Sequence, residues 1–186
     1  MKKIIFLEGL PGVGKTTIVN AVKKLNIKNL YVVDEIINKV EGKTPINQLS
    51  YFQNDEMKLN QHTEGLIVID RGPISTLSYN ITRCIIDRSF SADDAKKWFC
   101  QFTDILKEKT NKVIYLTTND QEYYFPVNNK KDPYGSLENQ RLLEKTSIEI
   151  CEKYVKNLKI QEYHKQNMEE IISEIVNKHL CSWWNN

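Results

Sequence analysis

The sequence of 186 residues has few of the features that mark secreted, zinc-binding or membrane proteins. Its first apolar run, Ile4-Ile5-Phe6-Leu7, ends at Glu8 and is too short for a signal-peptide core or a membrane span. The four cysteines are scattered, with no C-x-x-C pair and no histidine at metal-ligand spacing, so neither a disulfide framework nor a zinc site is indicated. We therefore expect a cytoplasmic protein with buried thiols and no membrane partner.

The sequence also lacks a charge excess of either sign. Its 26 lysines and arginines face 24 aspartates and glutamates, for a formal net charge of +2. A nucleic-acid wrapper usually carries a concentrated basic excess, so no polymeric nucleic-acid partner is expected. Arginine is scarce, since only Arg71, Arg83, Arg88 and Arg141 are present. The length predicts a single domain over residues 1–186, at about 150 residues per domain.

Short apolar segments alternate with longer amphipathic ones along the chain. This alternation predicts an α/β fold with a parallel sheet of about five strands flanked by helices. The predicted strands are Lys3–Leu7, Leu30–Val33, Leu66–Ile69, Lys112–Leu116 and Leu158–Gln161. The predicted helices are Lys15–Leu25, Pro45–His62, Ile74–Asp87, Ala92–Lys109, Ser136–Lys156 and Met168–Leu180.

The alternation is interrupted after the fourth predicted strand. Residues 118–135 are polar and contain Pro126 and Pro133. A loop of this length is either a functional lid or a linker, and we predict a lid because structured patterns resume on both sides. The role of the C-terminal Trp183-Trp184 pair stays open between a partner anchor and a tail that packs on its own domain.

The strongest motif follows the first predicted strand. Gly9-Leu10-Pro11-Gly12-Val13-Gly14-Lys15-Thr16 matches G-x-x-x-x-G-K-[ST] in full, and a helical pattern follows it. Glycines let backbone N–H groups turn towards a polyphosphate, and the helix N-terminus adds its positive dipole end. We expect Lys15 to contact the β- and γ-phosphates and the Thr16 hydroxyl to hold Mg²⁺. The predicted nucleotide-binding residues of this loop are Gly9, Pro11, Gly12, Val13, Gly14, Lys15, Thr16 and Thr17.

A carboxylate follows the third predicted strand in Leu66-Ile67-Val68-Ile69-Asp70-Arg71-Gly72-Pro73. An aspartate after four apolar residues, at the end of a strand beside the phosphate loop, is placed to orient Mg²⁺ or its water ligands. Asp70 is therefore the second predicted metal residue. Arg71 is expected to contact phosphate, although a surface salt bridge would also account for it.

Both motifs resemble those of the thymidylate kinases and the related deoxynucleoside kinases. The segment Phe6–Thr17 is similar to the opening of these enzymes, and Asp70–Asn80 is similar to the thymidylate-kinase pattern D-R-Y-x-x-S-S-x-A-Y-Q. The resemblance implies a three-layer P-loop NTPase fold with a lid after the fourth strand. It also implies Mg²⁺-dependent transfer of the γ-phosphate of ATP to a small acceptor, a nucleoside or nucleoside monophosphate.

The resemblance further suggests which residues serve the acceptor. Glu35 follows the second strand, where deoxynucleoside kinases place a catalytic base, and Asp34 is the second candidate. Tyr51-Phe52-Gln53 resembles the stretch in which an aromatic ring stacks on the base and a glutamine reads its edge, although Phe52 could equally belong to the core. These comparisons give as acceptor-binding residues Glu35, Phe52, Gln53, Arg71, Tyr79 and Arg83.

Departures from the family favour an uncharged acceptor. The R-E-P segment of thymidylate kinases, which grips a monophosphate, is replaced by Asp34-Glu35-Ile36, and the next helix offers Asp55 and Glu56. Carboxylates suit a neutral hydroxyl better than a dianionic phosphate. A nucleoside monophosphate stays an alternative acceptor, with Arg71 and Arg83 as the residues that would bind its phosphate.

The lid departs from the family as well, because Lys130 and Lys131 stand where relatives often have an R-x-R pair. These lysines, with Arg141 on the following helix, are predicted to contact ATP, although a solvated loop face would also explain them.

Other functions remain open at this point. A kinase of an antibiotic or a sugar would use the same residues. A regulatory NTPase is less well supported, because Thr117-Thr118-Asn119-Asp120 lacks the lysine of a guanine-reading motif. The apolar positions between Ile74 and Lys109 would permit a homodimer without requiring one.

Overall fold

The computed structural model describes residues 2–35, 47–118, 133–162 and 168–184. Five parallel strands form one sheet: β1 (Lys2–Gly9), β2 (Leu30–Val33), β3 (Gly65–Asp70), β4 (Lys112–Thr117) and β5 (Leu158–Glu162). The helices are α1 (Lys15–Lys24), α2 (Gln48–Asn60), α3 (Pro73–Asp87), α4 (Ala92–Phe99), α5 (Thr103–Lys107), α6 (Leu137–Tyr154) and α7 (Met168–Trp184). The predicted α/β class and parallel sheet are confirmed.

The strand order is β2-β3-β1-β4-β5, so β1 lies in the middle of the sheet. From β1 the chain runs to the edge strand β2, returns to β3 beside β1, and then crosses to the other side of β1 to form β4 and β5. In open parallel sheets, ligands bind beyond the carboxyl ends of the strands at such a switch point. Leu7 of β1 is in register with Asp70 of β3, so both sequence motifs emerge at this edge.

Two hydrophobic cores cover the two faces of the sheet. Phe6, Ile69 and Tyr115 pack on the face that α3, α4 and α6 cover. Leu7 and Val68 pack on the other face, against α1 and α7. The three central strands β1, β3 and β4 contain nearly continuous apolar runs because both of their faces are buried. The fold therefore has three layers, as predicted.

Several predicted boundaries shift by a few residues, and two predicted helices differ more clearly from the structure. The single helix predicted over Ala92–Lys109 is divided by a 3₁₀ turn over Cys100–Phe102, where Phe99 and Phe102 both enter the core. Helix α2 begins at Gln48 because the side chain of Asn47 accepts a hydrogen bond from the backbone N–H of Ser50. No helix in the described ranges is both long and apolar enough to cross a bilayer.

Candidate active site

The phosphate-binding loop joins β1 to α1. Gly9 has a φ of +138°, and a Cβ at this position would lie 2.3 Å from the carbonyl oxygen of Leu116 in β4. Gly14, at the start of α1, has a φ of +93°. Both conformations favour glycine, which explains why the motif has glycine at these two positions of the loop.

Lys15 lies in the first turn of α1 and is only 3% exposed. Its Nζ donates hydrogen bonds to the carbonyl oxygens of Gly9 (2.9 Å) and Leu10 (2.6 Å). Burial, together with the nearby charge of Arg71, lowers the pKa of the Lys15 ammonium well below its usual value. A phosphate anion in the loop would supply the negative charge that this buried ammonium needs.

Thr16 and Asp70 meet beside the loop. The Thr16 hydroxyl donates to Oδ2 of Asp70 at 3.0 Å. The other carboxylate oxygen, Oδ1, is buried and has no hydrogen-bond partner among the described residues, and burial raises the pKa of Asp70. Mg²⁺ is commonly held by one or two carboxylates together with substrate phosphates and water. An orphaned carboxylate oxygen beside a hydroxyl fits such an ion.

Glu35 and Arg71 form an ion pair above the loop. Oε1 of Glu35 lies 2.9 Å from Nε of Arg71, and Nη1 of Arg71 donates to the carbonyl oxygen of Gly9 at 3.3 Å. Arg71 has a φ of +57°, an uncommon backbone conformation for a residue other than glycine. Such strain persists where the surroundings hold it, here through the hydrogen bond from its N–H to Leu7. The arrangement places a carboxylate and a guanidinium side by side at the loop.

One face of α2 forms a wall of the cleft through Tyr51, Asn54, Asp55 and Lys58, which recur at helical spacing. Nζ of Lys58 lies 2.7 Å from Oδ1 of Asp55, and both side chains are almost fully buried. Lys58 also donates to the carbonyl oxygen of Arg71 at 2.8 Å. This second ion pair connects α2 to the turn that carries Arg71.

Aromatic rings next to the α2 wall line another part of the cleft. The ring of Tyr79 on α3 lies 5.1 Å from that of Tyr51 and 5.2 Å from that of Tyr134. Leu143 and Ser147 of α6 complete this side. The cleft encloses about 790 Å³ when the solvent at its open mouth is included.

Glu8 is a buried acid beneath the cleft that the sequence did not single out as functional. It accepts hydrogen bonds from the backbone N–H of Gly72 at 2.9 Å and from the hydroxyl of Ser75. Burial raises the pKa of Glu8 to about 7. The sequence did contain a signal for this residue, because Glu8 is a charged residue that follows the first apolar run just before the phosphate-binding loop. Glu8 ties β1 to the start of α3, next to Arg71.

The structure brings six predicted site residues together at one edge of the sheet: Lys15, Thr16, Glu35, Asp70, Arg71 and Tyr79. Pro11 lines the cleft. Val13 packs in the core beneath the loop, and Gly12 and Thr17 are exposed. The short contiguous motifs therefore converge on the cleft.

Other predicted residues lie elsewhere. Asp34 forms an exposed ion pair with Lys23, so of the two base candidates only Glu35 lines the cleft. Phe52 stacks on Trp98 at 4.4 Å and Gln53 is exposed, because consecutive helical residues point in different directions. The aromatic residue of α2 that faces the cleft is Tyr51.

Four further predicted residues are cations that are not among the described residues lining the cleft. Arg83 lies one turn beyond Tyr79 and pairs with Asp87 at 2.9 Å, while its Nη1 donates to the Tyr79 hydroxyl. Arg141 is exposed on α6 and is not among the cleft-lining residues. Lys130 and Lys131, and most of the predicted lid, lie outside the described residues.

The strand order and the phosphate-binding loop, with the Thr16–Asp70 contact beside it, are those of a P-loop fold. The sequence matches neither a protein-family model nor a curated protein, so the comparison rests on structure. The fold is similar to thymidylate kinase of Candida albicans, with a TM-score of 0.65 at 12% identity over 96% of this chain and 91% of that one.

Two further solved structures extend this similarity. Deoxyadenosine kinase of M. mycoides with bound dATP has a TM-score of 0.64 at 17% identity, over 95% of this chain and 100% of that one. Thymidylate kinase of Ehrlichia chaffeensis has a TM-score of 0.58 at 13% identity, over 95% and 97% of the two chains. The chain therefore shares its fold across nearly the full length of both kinds of kinase.

Proposed function

We propose that this protein transfers the γ-phosphate of ATP, with Mg²⁺, to a hydroxyl of an uncharged nucleoside. The phosphate-binding loop with buried Lys15, and the Thr16–Asp70 pair beside it, support the donor side of this reaction. Deoxyadenosine kinase and thymidylate kinase, whose fold this chain shares, are enzymes of nucleosides and of nucleoside monophosphates, respectively. The charged residues that line the cleft distinguish between these two acceptor classes.

The observation that favours a nucleoside is the pairing of charges in the cleft. Two cations outside the phosphate-binding loop line it within the described residues, and each already has a carboxylate partner. Arg71 pairs with Glu35, and Lys58 pairs with Asp55. A dianionic monophosphate would have to face both carboxylates or break both ion pairs, whereas a neutral hydroxyl compound leaves the cleft electrically balanced. The charge balance therefore supports an uncharged acceptor.

Each residue then has a defined task in the transfer. Glu35 accepts the proton of the acceptor hydroxyl, and its ion pair with Arg71 holds the carboxylate in position. The Arg71 guanidinium and the Lys15 ammonium stabilise negative charge on the transferring phosphoryl group. Bound Mg²⁺ would neutralise charge on the β- and γ-phosphates beside Thr16 and Asp70. The protein contributes mainly position and charge, as phosphoryl transfer requires.

A matched acceptor panel tests this proposal. Each common nucleoside and deoxynucleoside is compared with its own 5′-monophosphate, and with an aminoglycoside and a sugar, by release of ADP from Mg²⁺-ATP. We expect acceptor-dependent release with at least one nucleoside and a lower kcat/KM for its monophosphate. Release with monophosphates alone would contradict the charge argument, and release only with the aminoglycoside or sugar would establish the other kinase function.

A further inference from the structure

The peptide group between Arg71 and Gly72 is held by two buried charged side chains that have no task of their own in the proposed transfer. Its carbonyl oxygen accepts a hydrogen bond from Nζ of Lys58 at 2.8 Å. Its N–H donates to Oε1 of Glu8 at 2.9 Å. Both Lys58 and Glu8 are buried. Because a peptide group is planar, partners on its two opposite sides fix its orientation.

This peptide group determines the direction in which the Arg71 side chain leaves the main chain. Arg71 has a φ of +57°, and its own N–H donates to the carbonyl oxygen of Leu7 at 3.0 Å. A left-handed conformation at a residue other than glycine persists where the surrounding structure holds it. Leu7 holds the peptide group before Arg71, whereas Lys58 and Glu8 hold the one after it. Without the second set of contacts, the backbone could relax and turn the guanidinium away from the phosphate-binding loop.

Glu8 is itself fixed by its surroundings. Its second oxygen, Oε2, accepts a hydrogen bond from the hydroxyl of Ser75 in the first turn of α3. A Cβ at Gly72 would lie 2.5 Å from Cδ1 of Phe6 and 3.2 Å from Oε1 of Glu8. The lack of a side chain at Gly72 therefore lets the Glu8 carboxyl group come close to the Gly72 N–H.

We propose that Glu8 is a positioning residue for phosphoryl transfer, which together with Lys58 fixes the Arg71–Gly72 peptide and so directs the Arg71 guanidinium to the phosphate-binding loop. This inference deepens the proposed function and rests on it for the role of Arg71 at the transferring phosphoryl group. Glu8 is not among the described residues that line the cleft, so it acts through Arg71. A displacement of about 1 Å at such a group can lower the rate about 100-fold.

Hydrogen exchange of the Gly72 amide, followed by NMR, tests the contact itself. The wild-type amide should be protected, because it donates to Glu8. In Glu8→Leu, which has no acceptor, exchange at Gly72 should rise at least about 10-fold more than exchange of the amides inside β3. Glu8→Gln should keep the protection, because its amide oxygen can accept the same hydrogen bond. An unprotected wild-type amide, or a rise that β3 shares equally, would overturn the proposal.

Kinetics with the fastest acceptor of the panel test whether Glu8 acts through Arg71. Glu8→Leu should lower kcat about 10- to 100-fold and change the KM for ATP less than about threefold, since the lost interaction belongs to the transition state. Glu8→Gln should keep kcat near the wild-type value. In an Arg71→Met background, Glu8→Leu should lower kcat less than about twofold further, because the residue that it positions is gone. An equal loss with and without Arg71 would overturn the proposal.

Two other variants complete the design. Glu56→Leu is the matched control, because Glu56 is an exposed acid on α2 that bonds Trp98 instead of lining the cleft. It should leave exchange at Gly72 and kcat at their wild-type values. If Glu8→Leu does not fold, Glu8→Asp replaces it, since its side chain is one methylene shorter and withdraws from Gly72. Glu8→Asp should show the same two effects at reduced size, and wild-type behaviour in both would overturn the proposal.

These measurements separate the positioning role from the proposed function. Turnover with a monophosphate or a sugar alone would contradict the proposed acceptor, and the same set of variants would still decide the role of Glu8. Turnover with a nucleoside, but without coupling between Glu8 and Arg71, would refute the positioning role and leave the reaction intact. If no acceptor is phosphorylated, the positioning role fails together with the reaction.

Discussion

Glu8 makes the stability of this fold depend on pH in a direction that can be worked out from its surroundings. The carboxyl group is fully buried at the end of β1, and its partners are the N–H of Gly72 and the hydroxyl of Ser75. Burial raises its pKa from 4.5 to about 7, and the nearby charge of Asp55 adds to this effect. The folded protein therefore holds a proton on Glu8 at pH values where the unfolded chain releases it.

The size of the effect follows from the difference between these two pKa values. At about 1.4 kcal/mol per pH unit, the rise from 4.5 to about 7 corresponds to about 3 kcal/mol. Below pH 4.5 the group is protonated in both states, and its contribution to stability is fully present. As the pH rises from 4.5 to about 7, the contribution is progressively lost, and above about 7 the loss is complete.

Glu8→Gln removes this titration while its amide oxygen can still accept from Gly72. The variant should be within about 1 kcal/mol of the wild type at pH 5 and about 3 kcal/mol more stable at pH 8. Urea unfolding at both pH values measures this difference. Glu56→Gln, which changes an exposed acid, should follow the wild-type dependence on pH. A stability difference between Glu8→Gln and wild type that is the same at both pH values would refute the reasoning.

Three further substitutions test other parts of the site. Lys15→Met should reduce turnover by at least about 100-fold while the far-UV circular dichroism stays unchanged, and near-normal rates would refute its role at the phosphates. Glu35→Gln should lower kcat by about 10²- to 10⁴-fold. Asp34→Asn should leave kcat near the wild-type value, because Asp34 forms an exposed ion pair with Lys23 of α1. If Asp34→Asn lowers kcat and Glu35→Gln does not, Asp34 is the base. Gly9→Ala should lower Tm by about 5 °C or more, because its Cβ would meet Leu116 at 2.3 Å, and an unchanged Tm would contradict this path for the loop.

The phosphate side of the site could be predicted from the sequence because its chemistry lies in short contiguous motifs. Gly9, Lys15 and Thr16 belong to one loop whose spacing alone fixes their arrangement. Asp70 ends a buried strand, and neighbouring parallel strands bring their carboxyl ends to the same edge. The contact between Thr16 and Asp70 follows from these two facts.

The acceptor side could not be predicted in the same way. The helical face that meets the cleft depends on the orientation of α2 against the sheet, and a shift of one residue turns the helix by about 100°. The sequence therefore led to Phe52 and Gln53, whereas the structure turns Tyr51 and Asp55 to the cleft. Glu8 was missed for a similar reason, since its partners Gly72 and Ser75 are 64 and 67 residues away.

The scarcity of arginine affects which acceptor the cleft can bind, because the arginines near the cleft already pair with carboxylates. Arg71 lines the cleft and is held by Glu35, while Arg83 is held by Asp87 one turn beyond Tyr79. Each guanidinium already has a carboxylate partner, which opposes the bidentate grip on a dianionic acceptor phosphate. This pairing of charges is the structural basis of our proposal that the acceptor is uncharged.

The most direct test of the central claim follows the phosphate itself. ATP labelled in its γ-phosphate is incubated with Mg²⁺, the protein and the nucleoside that supports the fastest ADP release, and the labelled product is identified by mass spectrometry. We predict label in the nucleoside monophosphate, formed at least about 100-fold more slowly with Lys15→Met. Label that appears only in a nucleoside diphosphate formed from added monophosphate, or only as free phosphate, would contradict it.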